Sequence, residues 1–223
     1  MCDSPVMTVV VATGNPGKLG EIRALLADLP VDIRSAADVL GGPLHVAETG
    51  ETFEQNAIEK ARAVAEATHM LTLADDSGLE VEALGGRPGV RSARFAGEGA
   101  TDADNNALLL ELLKDVEDGH RAARFRCTVA LCDPWDTGND LVVEGRCEGT
   151  IARSPSGAGG FGYDPLFVVT PVGRTMAELE LTEKNSLSHR AQALAALRPK
   201  LVQVVRTRVA EAVQALGAAR ARR

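Results

Sequence analysis

Two adjacent carboxylates, Asp75 and Asp76, could carry metal or acid–base chemistry. They follow the apolar stretch Leu71–Ala74, which predicts a buried strand that ends at these acids. The two adjacent carboxylates repel each other, which favours the binding of a cation beside them. Mg²⁺ needs only one or two carboxylates when substrate phosphates complete its coordination, and a carboxylate beside it can deprotonate or orient a water. The alternative is a polar turn or helix cap, where Asp and Ser are common.

A glycine-containing loop, Thr13–Lys18, could bind phosphate. It lies between a β-branched run, Val6–Ala12, and a helical pattern of apolar residues that begins at Leu19. A strand that turns into a helix presents free backbone N–H groups and the positive end of the helix dipole at one point. The loop is not a Walker A motif, because Leu19 stands where Ser or Thr would bind Mg²⁺. An ordinary connector of this composition remains the alternative.

A second glycine-rich loop, Gly157–Pro165, carries two of the few aromatic residues. The chain has one Trp, one Tyr and five Phe, so Phe161 and Tyr163 are conspicuous in such a loop. Glycine lets the backbone approach a ligand closely, and a ring gives a nucleobase a stacking surface worth about 1–3 kcal/mol. The alternative is that the rings, above all Tyr163, anchor the loop in the core.

A polar segment from Lys184 to Arg190 could supply donors to a carbonyl or a phosphate. If a helix begins near Ser188, His189 and Arg190 lie in its first turn, where their charge opposes the helix dipole. That placement is slightly unfavourable and so favours a ligand-binding role. An exposed His–Arg pair in contact with solvent is the alternative.

Three other polar residues could support the acids. Asn56 and Lys60 lie four residues apart on one face of the predicted helix Thr52–Ala67, where they could reach a phosphate or face solvent. Glu48 is a possible further acid near the metal, and the sequence alone does not decide its role.

The elements that must position these residues predict one α/β domain with a mixed sheet. Helices and strands alternate in the first half, whereas Arg124–Cys132 and Leu141–Cys147 predict an antiparallel hairpin. A helical remainder follows, with a cap at Ser186 or Ser188 and a break at Pro199. The other predicted elements are the strands Val31–Ala36, Leu79–Leu84 and Leu166–Val169, the loop Gly85–Gly99 and the helix Ala103–Lys114.

Composition excludes several classes of function. The net charge of −7 and pI of about 5.2 disfavour binding to nucleic acid, although a few basic residues can still attract a small polyphosphate. No stretch approaches the ~20 apolar residues of a membrane span, and Met1–Met7 lacks the pattern of a secretory signal. The four cysteines form no CxxC pair, which favours reduced thiols and the cytoplasm.

Taken together, these motifs resemble those of one family. The ordered series runs over nearly the whole chain, from about Val9 to Leu197, and is similar to the inosine/xanthosine triphosphate pyrophosphatases, also called Ham1-like or non-canonical purine NTP pyrophosphatases. The motifs that carry the resemblance are Thr13–Lys18, Phe53–Ala57, Ala74–Gly78, Gly85–Phe95, Gly160–Asp164 and Ser188–Arg190.

The resemblance implies a long mixed β-sheet with flanking helices, in two lobes around a cleft that holds the active site. Residues 1–223 would form this single bilobed domain, with frayed ends at 1–5 and 211–223. It also implies a homodimer and hydrolysis of ITP, dITP and XTP to the monophosphate and pyrophosphate. A small-molecule substrate is thus the expected partner, and Mg²⁺ the expected cofactor.

The resemblance further implies a role for each motif residue. Asp76 would hold Mg²⁺ and accept a proton, with Asp75 and Lys60 in support, and Glu48 would be a second metal ligand, although Ala47 could occupy the equivalent place. The first loop would bind the triphosphate and the second would select the base. The implied substrate-binding residues are Thr13, Gly14, Asn15, Pro16, Gly17, Lys18, Asn56, Ser77, Phe161, Gly162, Tyr163, Asp164, Lys184, His189 and Arg190.

Three other functions remain open at this point. The first is a nucleotide pyrophosphatase for another base class, such as dTTP or UTP, which would share the chemistry and differ in the base pocket. The second is a phosphatase that forms an aspartyl-phosphate, although Asp75-Asp76 lacks the expected Asp-x-Asp spacing. The third is a nucleotide-binding protein without catalytic activity.

Overall fold

A six-stranded mixed sheet, in the order β2-β1-β3-β4-β5-β6, forms the centre of the computed structural model. The structure describes residues 6–42 and 44–221. The strands are β1 Met7–Val11, β2 Val31–Ser35, β3 Thr72–Val81, β4 Ala122–Cys132, β5 Leu141–Ile151 and β6 Phe167–Val169. The α-helices are α1 Pro16–Leu25, α2 Ala36–Leu40, α3 Phe53–Thr68, α4 Asp102–Leu112, α5 Leu181–Leu187 and α6 His189–Ala221. Short 3₁₀ helices span Glu82–Leu84, Gly89–Arg94, Asp118–His120 and Met176–Glu178.

The sheet is parallel at one end and antiparallel at the other. Strand β1 pairs in parallel with β2 and β3, whereas β3, β4, β5 and β6 pair antiparallel in succession. The predicted mixed α/β class is therefore confirmed. The predicted hairpin is confirmed as well, and its second strand runs beyond Cys147 to Ile151.

Strand β3 differs from the prediction. The sequence predicts two strands, Leu71–Ala74 and Leu79–Leu84, separated by Asp75-Asp76-Ser77-Gly78, but one continuous strand, Thr72–Val81, runs through the acids. All ten of its residues pair with β4, so the ladder supplies backbone hydrogen bonds that outweigh the poor strand propensity of these residues. The acids therefore lie in mid-strand rather than at a strand end.

Alternation along β3 decides which helices each acid meets. Leu71 and Leu73 pack in a core cluster with residues of α1 and α6, whereas Ala74 packs in a cluster with residues of α3. Since successive side chains of a strand point to opposite faces, Asp75 faces the side of α1 and α6, and Asp76 faces α3.

The apolar core is interrupted at the acids. One cluster contains Leu71 and Leu73 of β3, and a second contains Leu79 and Val81 further along the same strand. The polar stretch Asp75–Gly78 lies between the two clusters, and a cleft opens there. The polar stretch thus separates two apolar clusters along one strand.

The C-terminal helices contradict one prediction, the break at Pro199, and confirm another, the cap at Ser188. Helix α6 does not break at Pro199 but runs through it, because Leu197 and Leu201 on either side of this exposed proline pack in the core. Ser188 is the cap, since its Oγ accepts from Ala191 N at 3.2 Å. Ser186 instead lies inside α5, where its Oγ donates to the carbonyl of Glu183 at 2.7 Å.

The two ends of the chain differ in what is described. Residues 211–221, for which the sequence predicts fraying, continue α6, and 211–219 are exposed. The predicted frayed residues 1–5 and 222–223, together with Cys2, lie outside the described residues. Among the helices that are described, none combines the length and the apolar character needed to cross a membrane.

Helix α6 begins in direct contact with β5, and Gly145 makes this contact possible. A Cβ atom at Gly145 would lie 2.1 Å from the carbonyl oxygen of His189 and 2.4 Å from the amide nitrogen of Ala193. Both neighbours are backbone atoms of the first turns of α6, so no side-chain rotation can relieve the overlap. The glycine thereby sets the depth at which His189 and Arg190 enter the core.

We expect Gly145→Ala to lower the free energy of unfolding by about 3 kcal/mol, the upper end of the range for overpacking, because the helix must move away from the sheet. Activity should fall too, since Arg190 moves with the helix. Gly119→Ala is the matched control, because a Cβ atom there meets nothing within 4 Å. Urea denaturation of both variants measures the difference. Equal stability of Gly145→Ala and the control would contradict this role for the contact.

Candidate active site

The loop between β1 and α1 is closed by its own side chains. Asn15 caps α1, with Oδ1 accepting from Gly17 N at 2.8 Å and Lys18 N at 3.1 Å. The amide of Asn15 donates to Thr13 Oγ1 at 3.1 Å. These three amides are engaged inside the loop rather than free as predicted, so anion binding in this conformation depends on the Lys18 ammonium and the end of the helix dipole.

Asp75 is the buried centre of the site. Its Oδ2 accepts from Arg190 Nη2 at 2.9 Å and Nε at 3.2 Å, from Ser77 Oγ at 3.1 Å, and lies 3.2 Å from Lys18 Nζ. Burial would raise the pKa of this carboxyl, but the charges of Lys18, Arg190 and Lys60 lower it far below the usual value. Asp75 therefore stays ionised and holds Lys18 of the first loop beside the middle of β3.

Glu21 links Asp75 to Asp164 of the second glycine-rich loop through Arg190 and Lys184. Its carboxylate binds Arg190 Nη1 through Oε2 and Lys184 Nζ through Oε1, the latter at 2.7 Å. Lys184 Nζ also binds Asp164 Oδ2 at 2.6 Å. Burial would lower the pKa of Lys184, but the charges of Asp164 and Glu21 outweigh burial and leave it raised. A chain of buried ion pairs thus runs from Asp75 through Glu21 to Asp164.

Asp76 faces α3 and meets a different set of partners. Its Oδ1 accepts from Lys60 Nζ at 3.0 Å and its Oδ2 from Asn56 Nδ2 at 3.1 Å. Lys60 Nζ also donates to Glu48 Oε1 at 2.8 Å and to the carbonyl of Asp75 at 2.8 Å. Asn56 in turn accepts from Gly50 N at 2.8 Å, which fixes the segment that carries Glu48.

The two acids that share Lys60 differ in their acidity. Burial raises the pKa of Asp76 above its usual value, and the nearby charge of Glu48 adds to this effect, although Lys60 and Lys18 oppose it. For Glu48, burial acts in the same direction, but Lys60, Lys18 and Arg94 outweigh it and lower the pKa. Asp76 is consequently a better proton acceptor than an exposed aspartate, whereas Glu48 is a poorer one than an exposed glutamate.

Glu48 and Asp76 could hold a divalent metal together with substrate phosphates. They are hard oxygen donors that line one cleft and approach a single ammonium within 2.8 and 3.0 Å. Over residues 6–42 and 44–221, no group of three or more His, Cys, Asp or Glu side chains is placed to hold a metal by itself. This donor set fits Mg²⁺, which retains waters and takes its remaining ligands from phosphate.

The second loop presents one ring and buries the other. Phe161 is half-buried, and its ring lies 4.9 Å from Lys184 Nζ. Tyr163 is 4% exposed and donates to the carbonyl of Ser92 at 2.8 Å, so it anchors the loop while it lines the cleft. A Cβ atom at Gly17 would lie 2.6 Å from the Phe161 ring, which shows that the two predicted binding loops touch.

His189 is buried in its neutral form. Its ring stacks on Phe125 with centroids 4.8 Å apart, and its Nδ1 has no hydrogen-bond partner among the described residues. Burial lowers the pKa of His189 well below its usual value, and the adjacent Arg190 lowers it further. Arg190, 1% exposed, has donors engaged by Asp75, Glu21 and Ser77, so its main role is to hold the acids in place.

These residues converge on one cleft. The predicted site residues that line it are Asn15, Lys18, Glu48, Asp76, Ser77, Phe161, Gly162, Tyr163, Asp164, Lys184, His189 and Arg190. Thr13, Gly14 and Lys60 line an adjoining pocket that shares Lys18 and Glu48 with the cleft. Pro16, Gly17, Asn56 and Asp75 line neither, and of these Gly17, Asn56 and Asp75 contact residues that do.

Comparison with known proteins places the chain in a family. Residues 9–200 match the model of the Ham1 family. The chain belongs to the Ham1 family. It is 52% identical over 193 residues to a dITP/XTP pyrophosphatase of Geobacter sulfurreducens, covering 86% of this chain and 96% of that protein. It is 50% identical over 186 residues to the dITP/XTP pyrophosphatase of Escherichia coli K12, covering 83% and 93%.

Solved Ham1 structures share the fold. A HAM1 protein from Coxiella burnetii aligns with a TM-score of 0.80 at 43% sequence identity, covering 89% of this chain and 100% of that one. The resemblance inferred from the ordered motifs is thereby confirmed, as is the fold class. Helix α6 of this Ham1 chain continues to Ala221, beyond the matched residues.

Sequence reasoning missed several residues of this Ham1 site. Glu21 gives a weak signal, since it is an acid beside Ile22 on the face of α1 that carries the apolar stripe. Arg94, whose Nη1 lies 3.3 Å from Glu48 Oε2, gives no individual signal, because it lies in the predicted loop Gly85–Gly99, which also contains two other arginines. Asp102 and Asn105 also line the cleft. They lie at the start of α4, a helix to which the sequence analysis assigned no function.

The neutral state of buried His189 predicts a pH-dependent stability. On acidification the unfolded chain protonates this residue near pH 6.5, whereas the folded chain keeps it neutral, so the unfolded state is favoured. The free energy of unfolding should therefore fall by up to about 1.4 kcal/mol per pH unit below about pH 6.5 from this residue alone. His189→Gln cannot take up the proton and should give a flatter profile.

Chemical denaturation between pH 7 and pH 5 measures this difference. His120→Gln serves as the control, because His120 is an exposed histidine outside the cleft. Parallel profiles for wild type and His189→Gln would exclude the buried neutral imidazole.

Proposed function

We propose that this chain hydrolyses ITP, dITP and XTP to the nucleoside monophosphate and pyrophosphate, with Mg²⁺ as cofactor. The observation that carries the proposal is the direct approach of the two predicted halves of the site. Lys18 of the phosphate loop lies 3.2 Å from Asp75, whose neighbour Asp76 lines the same cleft as the base loop. One nucleoside triphosphate can therefore span both halves. The names of the relatives, dITP/XTP pyrophosphatases, support the same substrate class.

Binding of the triphosphate follows from charge. Lys18 supplies a cation at the positive end of the α1 dipole, and Lys60 supplies another beside Asp76. When bound to Glu48, Asp76 and the phosphates, Mg²⁺ supplies Lewis acidity and neutralises charge on the leaving pyrophosphate. Arg190 is saturated by acids and contributes by keeping Asp75 ionised and Lys18 in place.

Asp76 is the proton acceptor for the attacking water. Its raised pKa makes it a stronger base than an exposed aspartate, and hydrogen bonds from Asn56 and Lys60 fix both of its oxygens. A water beside Asp76 would be aligned with the α-phosphorus when the outer phosphates lie against Lys18. Attack there releases pyrophosphate, so the products distinguish this reaction from removal of a terminal phosphate.

Base recognition rests on Phe161 and Lys184. The Phe161 ring offers a stacking face, and Lys184 lies 4.9 Å from it. The ammonium has three N–H groups and two carboxylate partners, Glu21 and Asp164, so one donor remains for the 6-keto oxygen of hypoxanthine or xanthine. Adenine presents a donor at that position and would leave the third N–H of the Lys184 ammonium without a partner.

A homodimer in the cytoplasm completes the proposal. The resemblance of the motifs supports the dimer, and the content of cysteines supports a reducing compartment. Light scattering on the purified chain measures the oligomeric state.

One assay tests the proposed reaction. The chain is incubated with Mg²⁺ and ITP, dITP, XTP, GTP, ATP or dTTP, and the released ion is identified. We expect pyrophosphate from the first three and little from the others. Asp76→Asn should lower kcat about 10²–10⁴-fold, the contribution of a general base. The exposed Asp115→Asn is the control and should retain full activity. Release of orthophosphate, or equal rates on all six nucleotides, would reject the proposal.

A further inference from the structure

Helix α4 binds the base loop at Gly162. Its backbone φ is +62°, in the left-handed region that favours glycine. Its amide donates to Asp102 Oδ2 at 2.7 Å, and its carbonyl accepts from Asn106 Nδ2 at 2.9 Å. Both polar groups of this one residue are thus bound by side chains of α4, which lies 56 to 60 residues earlier in the chain.

We propose that Asp102 and Asn106 are positioning residues that orient the Phe161 ring for the nucleobase. This inference rests on the proposed function and extends it, since neither residue belongs to the motifs from which the base site was predicted. We call the two side chains the α4 clamp. They act through the backbone of Gly162, which directly follows Phe161.

Three further hydrogen bonds hold the turn Phe161–Asp164 on either side of Gly162. Phe161 N donates to Asp164 Oδ2 at 3.0 Å, Asp164 N donates to the carbonyl of Phe161 at 3.3 Å, and Tyr163 Oη donates to the carbonyl of Ser92 at 2.8 Å. Between them, Gly162 is backbone only, and its peptide groups set the direction in which Phe161 leaves the turn. A peptide flip at Gly162 would be permitted by glycine unless both of its polar groups were held.

Helix α4 is well suited to hold this turn. Asp102 and Asn106 are four residues apart, so they project from the same face of the helix. The start of the helix is itself fixed, since Thr101 and Asp104 form a capping box and Leu109 is fully buried. Asn105 also binds Ala96 N at 2.8 Å and the carbonyl of Ala93 at 3.2 Å, which ties the same helix to the segment that carries Arg94.

Variants at the two positions separate positioning from general stability. Asn106→Asp keeps the size of the side chain but places an acceptor against the Gly162 carbonyl, and Asp102→Ala removes the acceptor from the Gly162 amide. Asp102→Asn keeps an acceptor oxygen and tests rescue. Glu111→Ala is the matched control, because it removes an exposed ion pair with Lys114 from the same helix without touching the base loop.

The primary measurement is binding to the full chain by calorimetry, with two probes. IMP, the product of the proposed reaction, carries the base, whereas inorganic tripolyphosphate does not. We expect Asn106→Asp and Asp102→Ala to weaken IMP binding about tenfold, the effect of losing one well-placed hydrogen bond, and to leave tripolyphosphate binding unchanged. Asp102→Asn and Glu111→Ala should bind IMP within about threefold of wild type.

Steady-state kinetics provide a second readout. The KM for ITP should rise about tenfold in Asn106→Asp and Asp102→Ala while kcat changes far less, because the reacting groups around Asp76 are untouched. Equal IMP affinity in all variants, or equal losses for IMP and tripolyphosphate, would overturn the role of the clamp. A wild-type chain that neither binds IMP nor releases pyrophosphate from ITP would instead reject the proposed function, and the inference with it.

Discussion

The contact of Arg190 with Asp75 and Glu21 is the interaction on which the site depends. It joins the first turn of α6, the middle of β3 and helix α1, and its partners are 115 and 169 residues apart from Arg190 in sequence. All three side chains are nearly or fully buried. An unpaired charge in such a place costs several kcal/mol, so the charges are tolerable only when all three elements dock together. Assembly of the fold and assembly of the site are therefore the same event.

Successive side chains of β3 point to opposite faces of the sheet, so the two adjacent acids have different surroundings. Asp75 points toward α1 and α6, where Arg190 neutralises it, and the next residue, Asp76, points toward α3, where Lys60 and Asn56 bind it. One acid is thereby kept ionised and inaccessible, whereas the other has a raised pKa and lines the cleft. A polar interruption of the core, placed between two apolar clusters, brings Asp76 to the cleft and leaves Asp75 buried beneath it in contact with Lys18.

The sequence predicted which residues meet in the cleft better than it predicted the elements that hold them. Local patterns were sufficient for the two loops, for the β4–β5 hairpin and for the ordered motifs that indicated the family. They were insufficient for β3, because the pairing of Asp75–Gly78 with β4 depends on residues about 50 positions later in the chain. They were also insufficient for Pro199, which stays helical through tertiary packing. Glu21 was missed since only its distant partners, Lys184 and Arg190, explain a buried acid on α1.

A double-mutant cycle between Glu21 and Arg190 tests the central claim most directly. Glu21→Gln, Arg190→Gln and the double variant are compared with wild type by urea denaturation, with kcat/KM for ITP measured in parallel. If the three charges form one unit, the double variant should lose at least about 1 kcal/mol less stability than the sum of the single variants. Its activity should be no lower than that of Arg190→Gln. Stability losses that add within about 0.5 kcal/mol would show that the two residues act independently, and the account would be wrong.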